Sequence, residues 1–219
     1  MADRLKVTYY TDPLCCWSWA FEKHWQAFRQ QFGHTFHYTY VMGGMIPDWK
    51  TFSDPLNAVS KPLQMGPVWM HASRVTNEFM DDAIWHEDPP ASSYPSCIAV
   101  KCAALQSRDA SDGLLYKIRE AVMTRKQNVS RNEVLIALAR ELACEQPEVF
   151  DINRFLDDWQ SGSGRSLLRS DLQQTAYHKI GRFPTLTFSN SHGTGIMIVG
   201  YRPYDELVKA YHEVGSGLI

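Results

Sequence analysis

Two adjacent thiols followed by a tryptophan and a serine, Cys15-Cys16-Trp17-Ser18, are the residues of this chain best suited to nucleophilic chemistry. Thiolates attack disulfides and thiols do not, so what matters is which sulfur is placed to lose its proton. Cys15 lies two residues after Pro13, where an expected strand hands over to an expected helix. A helix start presents unpaired N–H groups and partial positive charge, which favour a thiolate there. Each unit of pKa lowering corresponds to roughly 1.4 kcal/mol. Position alone leaves Cys15 evenly balanced between a reactive thiol and a small buried hydrophobe, because free cysteines are among the most buried residues. If reactive, Cys15 should alkylate at neutral pH faster than Cys97, Cys102 or Cys144.

The neighbours decide what chemistry such a thiol could complete. Residues i and i+3 share a helix face, so a self-contained dithiol needs C-x-x-C. Position i+3 is Ser18, whose hydroxyl can donate a hydrogen bond to a thiolate but cannot close a disulfide. Cys16 points about 100° away from Cys15, and a disulfide between them would require local unwinding. Cys15 is therefore the catalytic candidate, Ser18 its partner, and Cys16 a lesser candidate for a resolving thiol. Far along the chain, Gly181-Arg182-Phe183-Pro184-Thr185 precedes a strand-like run. That proline is either a simple strand-edge marker or one member of a cis Phe183–Pro184 bond opposite the thiol, exposing backbone to an extended substrate or glutathione. Trp17 and Trp19 flank the thiols; one is expected to pack inward and the other to floor the site.

Three regions must position these residues. In the first, LKVTYYTD (from Leu5) reads as a strand ending in an Asp-Pro turn. Trp17, Phe21, Trp25, Phe28 and Phe32 follow at helical spacing, with Gly33 where a C-terminal cap belongs. Thr35 to Met42 reads as a second strand closed by Gly43-Gly44, which completes a β-α-β unit. The middle region, about Pro47 to Ile180, has hardly any strand-like segments. Helices are expected near Tyr94–Leu105 and Leu114–Met123, after a Ser130/Glu133 capping box, after a cap at Asp151, and from Gly164 to Ile180 before Gly181. The stretch before Pro95 is rich in Pro, Met and Trp and carries no clear signal; core filling accounts for Met42, Met45, Met65 and Met70, with an adaptable binding surface as the alternative. The third region supplies FPTLTF, a turn NSHGTG, IMIVGY, and a helix with Leu207, Val208, Tyr211 and Val214 on one face. The predicted order is β-α-β, a helical block, then β-β-α.

Composition excludes several function classes. The 219 residues carry a formal net charge of -2 with 21% charged and 44% hydrophobic, as in ordinary globular proteins. A pI near 6.4 and the lack of like-charge blocks leave no expected nucleic-acid or anionic-membrane surface. No run approaches ~18 apolar residues, and the N-terminal residues turn polar at once, so neither a membrane span nor a signal is expected. Five cysteines then point to a reducing, cytoplasmic setting. Metal binding is not expected. The eight histidines are scattered, His86-Glu87-Asp88 reads as a solvated loop, and Cys97 and Cys102, five apart, read as core. Cys144 is expected to be structural or merely exposed.

The strand, D-P-L-C-C-W-S-W at a helix start, the helical insertion, and F-P-T before a hairpin together resemble the DsbA-like branch of the thioredoxin superfamily over the whole chain. The match is to its FrnE-like members, predicted dithiol–disulfide oxidoreductases. The resemblance implies an α/β thioredoxin-like fold with a large helical insertion between the second and third strands. Residues 1–46 and 181–219 would form one domain and 47–180 the inserted helical one. It implies a nucleophilic Cys15 and a cis-proline at Pro184, with Trp17 and Phe183 beside them. The stretch Asp88 to Cys97 also resembles a family segment, which implies that Tyr94 and Pro95 face the thiol. The family's second cysteine is replaced by Ser18, so its resolving role does not carry over.

The expected activity is thiol–disulfide exchange or isomerisation by one thiol. Glutathione is the expected co-substrate, no bound cofactor is expected, and the partner is a disulfide-bearing protein or a glutathione conjugate. Two alternatives stay open. Kappa-class glutathione transferases and 2-hydroxychromene-2-carboxylate isomerases are similar in architecture and share the Ser18-Trp19 ending, but carry serine where this chain has Cys15. DsbA-like adaptors that deliver regulators to a protease also resemble the chain in outline, and a free Cys16 beside Cys15 would suit a non-catalytic redox sensor. Nothing in the sequence sets the oligomeric state.

Overall fold

The computed structural model describes residues 5–191, 193 and 195–215. Strand β1 (Leu5–Thr11) and strand β2 (Phe36–Met42) pair in parallel, Val7 opposite Tyr38 and Thr11 opposite Met42. Parallel neighbours need a crossover, and helix α1 (Cys16–Phe32) provides it. Strand β3 (Thr185–Ser189) runs antiparallel on the other edge of β1, and β4 (Gly195–Val199) pairs antiparallel with β3. The sheet order is β2-β1-β3-β4, closed by helix α9 (Tyr204–Gly215). This is a thioredoxin-like sheet with its insertion between β2 and β3. Two residues of the anticipated turn, His192 and Thr194, lie outside the described residues.

Helix α1 holds to the sheet through an aromatic stripe. Phe21, Trp25 and Phe28 are fully buried, each worth about 1.5–3 kcal/mol of apolar burial. Trp25 packs edge-on against Tyr9 and Tyr38 and donates its indole N–H to Tyr40 Oη at 2.8 Å. Trp17 and Phe32, at the ends of the stripe, are only partly buried.

The insertion comprises α2 (Met65–Thr76), α3 (Ile84–Glu87), α4 (Tyr94–Ala104), α5 (Arg108–Thr124), α6 (Asn132–Glu145), α7 (Ile152–Ser161) and α8 (Ser163–Tyr177). Its centre is α4, where Ser96, Cys97, Ala99, Val100, Cys102 and Ala103 are all buried. Small side chains let neighbouring helices come close. At Gly164 of α8, even a β-carbon would lie 2.4 Å from Cys102 Sγ. Lys101 then bridges to the sheet, its ammonium reaching Tyr40 O (3.2 Å) and Asp171 (2.9 Å), while Asp171 accepts the Met42 N–H (2.7 Å). One continuous apolar core runs through sheet and insertion.

Gly33 caps α1 as expected, its N–H donating to Arg29 O at 2.8 Å. Several other local expectations are corrected. The Ser130/Glu133 box does not form: Ser130 Oγ engages Asn128 and Ala91, and α6 starts at Asn132. Helix α8 ends at Tyr177, short of Ile180. Met70 is 49% exposed rather than core. The unassigned stretch contains α2 and α3, joined by loops, with a short Asp54–Val59 bridge ahead of α2. Asp151 does cap α7 as expected, accepting from Asn153 N and Arg154 N.

Candidate active site

The loop after β1 turns by local bonds before α1 begins. Asp12 accepts Leu14 N on one carboxylate oxygen (2.9 Å), and its carbonyl accepts Cys15 N (3.1 Å). Its other oxygen accepts Met45 N (2.7 Å) and the Cys97 thiol (3.5 Å). Asp12 thereby ties the thiol loop to the segment after β2 and to α4. Cys15 stands at the N-cap of α1, and its carbonyl accepts Trp19 N (3.0 Å). The Cys15 thiol donates to Phe183 O at 3.4 Å, and the Phe183–Pro184 peptide beside it is cis. The structure thus brings Cys15 and the F-P-T segment together across 168 positions of chain.

Burial dominates the electrostatics. Cys15 is 4% exposed, and burial pushes its thiol above the ordinary cysteine range. The Ser18 hydroxyl and amide oppose this rise, Asp12 adds to it, and Arg119 works against it. The lowering expected from the helix start is outweighed, because a dehydrated sulfur resists charge more than one helix end favours it. Ser18 Oγ is itself buried and has no partner of ordinary geometry while the thiol proton points at Phe183. A Cys15 thiolate would give that hydroxyl an acceptor. Cys16 is buried too, and burial followed by the nearby Cys15 pushes its thiol well above the ordinary range.

A cleft of about 1020 Å³ opens over Cys15. Its walls are Gly43–Met45, the loop at Phe52–Asn57, α2 through Val68, His71 and Val75, and the backbone of Gly181–Phe183 with Val199–Arg202. Trp17 and Cys16 line it as well. The Trp17 ring is 5.8 Å from His71 and 6.2 Å from Tyr201, whose hydroxyl is held by His24 Nε2 at 2.9 Å. Trp19 faces elsewhere, donating to Phe79 O (3.2 Å), so Trp17 is the cleft tryptophan. A recess of about 880 Å³ between α9 and the end of α1 contains no thiol.

Two anticipated residues sit elsewhere. Tyr94 packs behind Gly44, where a β-carbon would meet its ring at 2.7 Å, and Pro95 opens the first turn of α4; neither lines the cleft. The same α4 start instead reaches the site indirectly, through Cys97 on Asp12. Asp12 and Gly43, legible in the sequence only as a turn and a strand end, and Arg119 also belong to the site. The D-P-L-C turn was a signal for the first, whereas Arg119 reads in sequence as one more charge on a helix. Among the described residues no cluster could hold a metal, and no helix is long and apolar enough to cross a membrane.

Two expectations follow. Cys144 is the exposed thiol, so iodoacetamide should modify it first, contrary to the order read from sequence. The Cys15 rate should keep climbing from about pH 7 to pH 9, since a thiol whose pKa is raised is not yet fully ionised there. A plateau already reached near pH 7 would show a stabilised thiolate instead. At Gly43, a β-carbon would lie 2.0 Å from Phe183 Cζ. Gly43→Ala must therefore displace the Phe183 ring, costing about 1–3 kcal/mol in thermal unfolding. It should also speed Cys15 alkylation severalfold by freeing the thiol from its carbonyl.

The chain is similar to the ClpXP adapter protein SpxH of Halalkalibacterium halodurans, at 28% identity over 212 residues, covering 96% of this chain and 67% of that protein. Among solved structures it is similar to a provisionally described protein disulfide isomerase from Nitrosomonas europaea (TM-score 0.79, 21% identity, 96% of this chain and 97% of that one). It is also similar to the cytosolic disulfide reductase DsbM from Pseudomonas aeruginosa with GSH (TM-score 0.64, 18% identity, 97% and 96%). The family model Thioredoxin_5, described as thioredoxin, matches residues 9–209, spanning the thiol loop, the insertion and the segment that faces Cys15, and the chain belongs to that thioredoxin family.

Proposed function

We propose that the protein exchanges thiols and disulfides through Cys15 alone, with glutathione mixed disulfides as its substrates. The observation that carries this reading is the i+3 position. The cleft thiol faces a backbone carbonyl ahead of Pro184, yet the residue one turn on is a buried hydroxyl and not a second sulfur. Cys15 gives up its proton and the thiolate attacks the glutathione sulfur of a mixed disulfide. A Cys15–glutathione bond forms, the substrate S–S bond breaks, and the substrate leaves as a thiolate. A second glutathione thiolate then attacks the glutathione sulfur bound to Cys15, yielding glutathione disulfide and regenerating Cys15. Ser18 would donate its hydroxyl to the sulfur whenever it carries charge. Arg182 and Arg202 at the cleft rim are exposed and in no ion pair among the described residues, which suits the carboxylates of glutathione. The DsbM structure with GSH supports the choice of co-substrate.

The test is to incubate the reduced protein with glutathione disulfide and map adducts by mass spectrometry. Glutathione should appear on Cys15, persist without added thiol, and be absent from Cys15→Ser. A Cys15–Cys16 disulfide in place of the adduct would sink the monothiol reading. Glutathione binding without any adduct favours a transferase or isomerase.

An adaptor role is the second reading. The SpxH relative is named an adapter, and Leu56, Leu63, Met70, Val75 and Phe79 are all exposed on or near α2, with Leu56 and Val75 on the cleft itself. Apolar surface of that extent suits a protein partner. Inertness toward glutathione and disulfides would leave this reading in place.

A further inference from the structure

Helix α5 of the insertion carries Arg119, which is 0% exposed. Its guanidinium donates to Glu22 of α1 at 2.5 Å and to Thr11 Oγ1 at the end of β1, and lies 5.8 Å from the centre of the Tyr9 ring. Its Nε has no acceptor among the described residues. Thr11 directly precedes Asp12, and Glu22 lies one turn beyond Ser18, so the contacts bracket the segment that holds Cys15. Burying an ion pair costs several kcal/mol per ion, and apolar residues would often brace a core as well. A purely structural role therefore explains this cation poorly.

We propose that Arg119, tempered by Glu22, is a positioning residue for the Cys15 sulfur: a buried cation brought in by the insertion to favour negative charge on that atom. This rests on the reading of Cys15 as the nucleophile. The field of Arg119 acts on Cys15 in the direction that lowers its pKa, opposite to burial and to Asp12. Other groups near the sulfur are Tyr9 of β1 and Cys16 of α1. Across the cleft stand His71 and Asp54, with Arg182 and Arg202 at the rim. None of the four is a buried cation, and water screens exposed charges far more than it screens Arg119. Glu22 cancels part of the Arg119 field, so removing its charge should unmask the cation.

The test is site-resolved alkylation of Cys15 against pH in the full chain, with near-ultraviolet circular dichroism to verify folding. Glu22→Gln should lower the Cys15 midpoint by about one unit, speeding alkylation roughly tenfold at pH values below it. Arg119→Lys keeps the charge and should stay within about 0.3 unit of the wild type, whereas Arg119→Met should raise the midpoint by about one unit. If Arg119→Met does not fold, Glu22→Gln and Arg119→Lys decide. A folded Glu22→Gln with an unchanged midpoint overturns the proposal and makes the pair a core brace. The midpoint needs no turnover, so a shifted midpoint without glutathione exchange overturns the catalytic reading alone.

Discussion

Ser18→Cys should give Cys15 a resolving thiol one helical turn away. Cys15 sits at the N-cap of α1 and Ser18 three residues on, so the two side chains share a face across the first turn. Ser18 is fully buried beneath the thiol, and its hydroxyl lacks a partner of ordinary geometry. A sulfur there is slightly larger, but it takes the place of a group that gains little from its surroundings. Once Cys15 is in a mixed disulfide, the introduced thiol attacks intramolecularly, at an effective concentration far above that of millimolar glutathione. In single turnover without glutathione the pre-reduced variant supplies both electrons and ends as an internal disulfide. Its insulin reduction should therefore exceed that of the wild type by at least about tenfold, and the glutathione adduct on Cys15 should vanish. Cys16→Ala should leave the wild-type adduct unchanged, because Cys16 is buried with its thiol held protonated. Efficient insulin reduction by the wild type, lost in Cys16→Ala, would make Cys16 the resolving thiol.

Asp12→Ala should be the most damaging single truncation in the thiol loop. The carboxylate accepts two backbone N–H groups, Leu14 and Met45, and the Cys97 thiol, all away from solvent. Burial raises its pKa, and the Met45 and Leu14 amides pull it back down. Truncation leaves two amides without an acceptor, at about 1–3 kcal/mol each, so unfolding should cost about 2–5 kcal/mol. Asp12→Asn keeps one carbonyl oxygen and should lose roughly half as much. In both variants the Cys15 midpoint should fall, since Asp12 is one of the groups that raises it. A loss below about 0.5 kcal/mol for Asp12→Ala would show that the loop holds its shape without this hub.

Three contacts at this end of the sheet also explain why the insertion matters to the site. Asp12 reaches α4 through Cys97, Thr11 reaches α5 through Arg119, and Met42 reaches α8 through Asp171. Three insertion helices thus fasten the carboxyl ends of β1 and β2, where the thiol and the cleft wall begin.

The sequence by itself determined most of the elements, α2 and α3 excepted. The spacing of Phe21, Trp25 and Phe28, the Asp-Pro turn and the β-branched runs each encode local structure, and they set the succession of β-α-β, helical block and β-β-α along the chain. It also singled out Cys15, Ser18 and Phe183–Pro184 as candidates, because redox chemistry demands certain residue types at certain spacings, and the fold brings Cys15 against Phe183. Only the tertiary structure decided the state of the thiol. Whether a helix start lowers its pKa depends on how much water reaches the sulfur, and that follows from packing by segments such as Phe183, 168 positions away. The same holds for Tyr94, read toward the cleft but turned behind Gly44, and for Arg119, whose helix position carries no mark of burial. Local patterns reveal periodicity, whereas burial and charge–charge distance exist only once distant segments meet.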